Sequence, residues 1–183
     1  EHLNRIKAGL SALKFSTDLS NLESTLERDA NLLIKKNQIK NGILRISISR
    51  GIGSLGYLPT NKSKPLIIIQ TSGNRRIKSR KITLDVGYTR KPSAHSLPIS
   101  CKTMQALPYT LNKIEAQEKG VFDCIMLSSE GFVSETSSAN IFWVKNGVIY
   151  TADENCDILL GTIRKKILEN FEVKQVKAKI ADL

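Results

Sequence analysis

The chain has 183 residues, 40% of them hydrophobic and 25% charged, which suits a globular chain with a real core and places it outside the disordered and fibrous classes. With 28 Lys and Arg against 17 Asp and Glu, its net charge is +11. No apolar run approaches the roughly 18 residues of a membrane span, and no secretory signal pattern opens the chain, so a cytoplasmic location is expected.

In chain order, Leu3, Ile6, Leu10 and Leu13 recur at helical spacing and predict an amphipathic helix over His2–Lys14. A second helix fits Leu19–Lys36. Asn41-Gly42 opens an alternating strand, Ile43–Ser49. Gly51, Gly53, Gly56 and Pro59 then mark a loop. Pro65–Gln70 reads as a short buried strand and Lys81–Tyr88 as another, with a Ser/Gly/Asn/Arg linker near Ser72–Ser79. A loop over Lys91–Ser100 leads into a helix at about Met104–Lys119. Next come a strand, Phe122–Leu127, a turn at Ser128–Gly131, and a strand, Ala139–Lys145. Asn146-Gly147 is a hairpin turn into Val148–Thr151. A helix follows over Thr162–Phe171, and a strand-like run begins at Glu172. Two α/β units joined by a linker are expected, over residues 1–78 and 79–183. Both ends read as cut.

The positive charge raises a nucleic-acid reading, but its dense stretch, Arg75–Lys81, has no interleaved aromatics and reads as a solvated loop or strand edge. Cys101, Cys124 and Cys156 lack zinc-ligand spacing, and only His2 and His95 could join them, so reduced thiols and no metal are expected.

Three segments carry candidate chemistry. Lys102 sits between a Pro-containing loop and a helix, where partly apolar surroundings would ease loss of its proton. Glu135, in Gly131-Phe132-Val133-Ser134-Glu135-Thr136-Ser137-Ser138, is a carboxylate followed by small hydroxyls. By itself it is a capping or turn segment. Gly161-Thr162-Ile163-Arg164 puts glycine where a loop becomes a helix, an anion-binding arrangement. An amine, an acid and a phosphate cradle together are what pyridoxal phosphate requires.

The ordered set Lys102-Thr103, Glu115-Ala116, Gly131 to Phe142, Asn146-Gly147, Tyr150-Thr151 and Gly161 to Arg164 resembles the class IV aminotransferases. Glu1-His2-Leu3-Asn4-Arg5-Ile6 is similar to that family's early His-x-x-Arg-Leu helix. The resemblance implies the α/β (α+β) arrangement of fold-type IV: a small α/β domain and a larger pseudo-barrel domain, both truncated here. It further implies pyridoxal 5'-phosphate bound covalently to Lys102, Glu135 on the pyridine nitrogen, and Arg5 on the phosphate. The amides of Thr162 and Ile163 would complete the cradle with Ser138 close by, Arg164 would be structural, and Asn140 would fix the backbone beside Glu135. A homodimer acting on an anionic, amino-acid-like substrate is part of the same expectation. The family usually reads Gly-Ile-Thr-Arg where this chain has Gly161-Thr162-Ile163-Arg164.

Ser47 to Tyr57 resembles the Ser-Arg-Gly-x-Gly-x-x-Gly-Tyr stretch of the family's aminodeoxychorismate lyases, with Arg50 and Tyr57 as substrate contacts, although Leu55 stands where those lyases can carry arginine. The first expectation is therefore elimination of pyruvate to form 4-aminobenzoate. The alternatives are a D-amino-acid or branched-chain transaminase and a truncated, non-catalytic homologue.

Overall fold

A computed structural model describes residues 1–15, 20–53, 55–60, 64–73, 81–98 and 101–183. The basic stretch at 75–80, the linker over 74–79, Ser54 and the residues at 99–100 lie outside them. Two compact units emerge: one of Glu1–Leu13 with Arg80–Leu183, the other of Lys14–Ser79. The first helix thus groups with the C-terminal segment rather than with the residues that follow it, unlike the expected division at 78/79.

The chain begins with α1 (His2–Ala12), α2 (Leu22–Lys36), β1 (Gly42–Ser49) and β2 (Leu66–Gly73). In the 14–79 unit, α2 buries Leu26 and Ala30, four residues apart and so on one face. Strands β1 and β2 pair antiparallel from Gly42↔Gly73 to Ser49↔Leu66. Asn37 at the end of α2 donates to Thr71 Oγ1 at 2.8 Å, tying helix to sheet. Gly42 is required there, because a Cβ would lie 2.5 Å from the Ser72 carbonyl oxygen.

The other unit continues with β3 (Leu84–Val86), α3 (Leu107–Glu118), β4 (Asp123–Leu127), β5 (Val133–Thr136), β6 (Phe142–Lys145) and β7 (Val148–Ala152). It ends with α4 (Thr162–Asn170), β8 (Val173–Val176) and a 3-10 turn, Ile180–Asp182. Strands β3 and β4 run parallel across α3, and β5 pairs antiparallel with β4, Met126 opposite Glu135. The second sheet is β6-β7-β8, with β7 and β8 parallel across α4. Asn146 and Gly147 both have positive φ, 52° and 77°, as the tight β6–β7 hairpin demands. Ala152, Cys156 and Ile158 form a buried cluster with Phe132 against it. The Val133 amide donates to the Ala178 carbonyl at 2.8 Å, joining β5 to the segment after β8.

Three expectations need correction. Strand β2, expected to be buried, alternates exposed and half-buried residues, Leu66 being 54% and Ile68 45% exposed. Glu135 is not in a turn: it lies on β5, whose four residues are all buried. A strand covered on both faces shows no in–out alternation, and the polar run Val-Ser-Glu-Thr hides it further. The helix expected from Met104 starts only at Leu107, with Pro108 in its first turn, where a missing N–H costs nothing. Among the described residues no helix is long and apolar enough to cross a membrane.

Candidate functional site

The centre of the site is the Glu135 carboxylate, in a side chain only 7% exposed. A buried charge survives only if it is paired and bonded, and Glu135 is both. Its Oε1 accepts from the Lys91 ammonium. Its Oε2 accepts from Asn140 Nδ2 at 2.8 Å and from the Leu159 backbone N–H at 3.1 Å. A carboxylate offers roughly four acceptor positions, so three donors leave one, on the Oε1 side.

Asn140 links the acid to the helix beyond it. Its Nδ2 also donates to the Leu159 carbonyl at 2.9 Å, and its Oδ1 sits where a Cβ on Gly161 would lie only 2.3 Å away. Glycine at 161 therefore lets Asn140 lie flat against the start of α4. That helix has Gly161 as N-cap and no side-chain capping bond, and the first amides of any helix lack intrahelical acceptors at its positive dipole end. The acid and the anion-binding helix end form one connected cluster.

Among the described residues, Lys91 is the buried lysine. Its side chain is 1% exposed, and Nζ also donates to Tyr109 Oη at 2.7 Å while lying 4.4 Å from that ring's centroid. Its own amide donates to the Leu127 carbonyl at 2.9 Å, fixing it beside the end of β4. The loop beyond is clamped by buried Asp157, which accepts from the Ala94 amide and from both the amide and the hydroxyl of Ser129. Neither Lys91 nor Asp157 was singled out in the sequence. The only local signal at Lys91 is a basic pair, Arg90-Lys91, before Pro92.

Lys102, by contrast, is exposed, which corrects the expectation of apolar surroundings at that position. Its neighbour Cys101 is buried and packs on α1, with Sγ 3.9 Å from the Cβ position at Gly9. Arg5 lies one turn earlier on that helix, half-buried, its Nη2 3.4 Å from His2 Nδ1. Ser138 is exposed just after β5, Thr162 is half-buried, and Ile163 is 68% exposed. The structure thus brings Glu135, Asn140, Leu159 and Gly161 together, Thr162 and Ile163 following Gly161 as the first residues of α4, while Arg5 shares a helix face with the contact to Cys101. Arg50 and Tyr57 belong to the other unit. The Arg50 guanidinium lies 4.4 Å from the Phe15 ring and donates to the Lys14 carbonyl, and Tyr57 is fully exposed.

Two supporting features frame the site. Arg164 on α4 is buried and donates to the Ala152 carbonyl at 3.0 Å and to Gln175 Oε1 at 2.7 Å, pinning the helix over β7 and β8. Burial pushes its pKa down from the ordinary arginine value. All three cysteines are buried and unbridged, and burial pushes the Cys124 and Cys156 thiols up, away from the reactive thiolate.

Comparison with known proteins identifies the family and the fold. The profile of the family described as amino-transferase class IV matches residues 1–183. A probable branched-chain-amino-acid aminotransferase of Rickettsia felis is 31% identical over 193 residues, covering 100% of this chain and 64% of that protein. The aminodeoxychorismate lyase of Vibrio harveyi is 28% identical over 143 residues, covering 76% of this chain and 52% of the lyase. Among solved structures, the branched-chain amino acid aminotransferase of Escherichia coli superposes with a TM-score of 0.90 at 23% identity, covering all of this chain and 63% of that one. The chain thus spans under two thirds of the length of these relatives, and the fold is theirs.

Proposed function

The chain belongs to the amino-transferase class IV family, and from that premise we propose that the protein is a pyridoxal-phosphate enzyme that transfers the amino group of a branched-chain amino acid. One observation carries this reading: a buried carboxylate with a single acceptor position left open, tied through Asn140 to an uncapped helix N-terminus. An aromatic cofactor with a protonated ring nitrogen at one end and a phosphate on a side arm fits that pair of features.

When bound, the cofactor acts as an electron sink for the substrate's Cα–H bond. The chain supplies the rest. Glu135 would accept from the protonated ring nitrogen, and the Thr162 and Ile163 amides would hold the phosphate, with Arg5 and Ser138 as additional contacts. Main-chain donors make the Thr162-Ile163 order tolerable, since either side chain leaves the amide in place. Lys102, an exposed residue, would be the amine that holds the cofactor's aldehyde carbon and would move the substrate's α-proton. Two copies per assembly and a cytoplasmic location belong to the same proposal.

Amino transfer takes precedence over elimination for two reasons. Similarity to branched-chain aminotransferases extends along the entire chain, whereas the lyase match is shorter and lower. Arg50, the residue read as a substrate carboxylate contact, has its guanidinium engaged with Phe15 and the Lys14 carbonyl. The lyase-like Ser47–Tyr57 stretch keeps elimination as the second reading.

The test incubates full-length protein with branched-chain or D-amino acids plus 2-oxoglutarate, and separately with aminodeoxychorismate. Glutamate formed from a branched-chain donor supports the proposal. Pyruvate with 4-aminobenzoate selects the lyase, and no product with either, from a colourless protein, refutes both.

A further inference from the structure

The Glu135 side chain is buried, and a lone carboxylate in that position would be strongly destabilising. The group that compensates it is on the page: the Lys91 ammonium, 1% exposed, bonded to Oε1. It is oriented by Tyr109, which takes a second N–H at 2.7 Å and presents its ring face to the charge. The remaining donors to Glu135, Asn140 and the Leu159 amide, are neutral and use the other oxygen.

We propose that Lys91 is a positioning residue: the resident counter-ion that holds Glu135 aimed and charge-compensated, sharing Oε1 with the cofactor's ring nitrogen once that arrives. The proposal rests on the cofactor reading above. It also divides the labour between the two lysines. In pyridoxal phosphate the ring nitrogen and the aldehyde-bearing carbon stand para to one another, so an amine bonded to the carboxylate that receives the nitrogen is at the wrong end of the ring to reach the aldehyde. Lys91 therefore acts through Glu135, and the covalent attachment stays with Lys102, as proposed above from its place in the family's ordered motifs.

A counter-ion role has a thermodynamic signature that a packing role lacks. Without Lys91, the cofactor's ring N–H becomes the sole cation at Glu135, so cofactor binding should recover part of what the substitution cost. Packing losses would burden the empty and loaded proteins alike.

The experiment measures thermal unfolding of the full-length protein, with and without saturating pyridoxal phosphate, for the parent, Lys91→Met and Lys91→Arg. Lys91→Met is expected to lower the melting temperature of the empty form by roughly 10 °C more than that of the loaded form. Lys91→Arg should restore most of the difference. Borohydride should still fix the cofactor to a peptide containing position 102 in Lys91→Met. Equal losses in both forms, or failure of Lys91→Arg to rescue, would overturn the counter-ion role, and loss of borohydride fixation in Lys91→Met would make Lys91 the attachment point instead. If Lys91→Met does not fold, the neutral pair Lys91→Met with Glu135→Gln decides. A folded double variant supports the proposal, because removing the stranded charge relieved the defect, and an unfolded one refutes it. Failure of the cofactor reading is visible separately, as a parent protein whose melting temperature does not respond to pyridoxal phosphate.

Discussion

Replacing Gly161 with alanine should open the site without touching the acid. The backbone there, φ −71° and ψ 144°, is ordinary for alanine, so no conformational strain arises. The added Cβ would instead lie 2.3 Å from Asn140 Oδ1, and the asparagine must move. Moving it removes Nδ2 from Glu135 Oε2, a charged hydrogen bond of about 1.5–3 kcal/mol, and from the Leu159 carbonyl, a neutral one of about 0.5–1.5 kcal/mol. The stiffer unfolded chain of alanine returns only about 0.4–1 kcal/mol. A net loss of about 3 kcal/mol follows, read by urea unfolding of the cofactor-free full-length protein. Asn140→Ala loses the same two bonds and should cost a similar amount. The decisive measurement is the double variant, which should cost no more than Asn140→Ala, since alanine at 161 then has nothing to strike. Additive costs, or a Gly161→Ala protein within about 0.5 kcal/mol of the parent, would refute the argument that Gly161 exists to seat Asn140.

Lys102→Ala should leave stability within about 0.5 kcal/mol of the parent, because the side chain is exposed. It should abolish borohydride-fixed cofactor and turnover, checked by peptide mapping. Glu115 accepts the Tyr88 amide at 3.0 Å and pairs with Lys119 at 2.9 Å. Burial, the largest single influence, pushes its pKa up, but these bonds together outweigh burial and hold it below the ordinary 4.5. A depressed carboxylate stabilises the fold above its unfolded pKa and loses that contribution as pH falls through its folded value. The stability gap between parent and Glu115→Gln should therefore be full at pH 7 and shrink below about pH 4.5 in thermal unfolding. Cys101, Cys124 and Cys156, all buried, should react with a thiol reagent only on unfolding, and rapid labelling of the native protein would contradict their placement.

Much of the frame was legible because it is periodic. Leucines at helical spacing announce α1 and α2, and Asn146-Gly147 announces its hairpin through the positive φ that only such residues adopt readily. Strand β5 was illegible because its covering comes from both sides and its residues are polar, so burial left no pattern in the sequence. Lys91 was illegible for a related reason. Lysines are abundant in this chain, and which of them loses its water is decided by Tyr109, Leu127 and Glu135, from 18 to 44 positions away. Glu135 itself stands out by its place in an ordered family pattern and not by any local physical signal.

The remoteness of its donors also says how the site must form. Lys91, Asn140 and Leu159 come from the loop after β3, the turn after β5 and the approach to α4, and each supplies a bond that the buried carboxylate needs. With any one absent, the carboxylate on fully buried β5 would lose part of its compensation, about 1.5–3 kcal/mol for each hydrogen bond to the charged group. The acid therefore cannot be desolvated in stages. Its burial is cooperative with closure of all three segments, which makes the position of a single carboxylate a property of the assembled unit rather than of the strand that carries it.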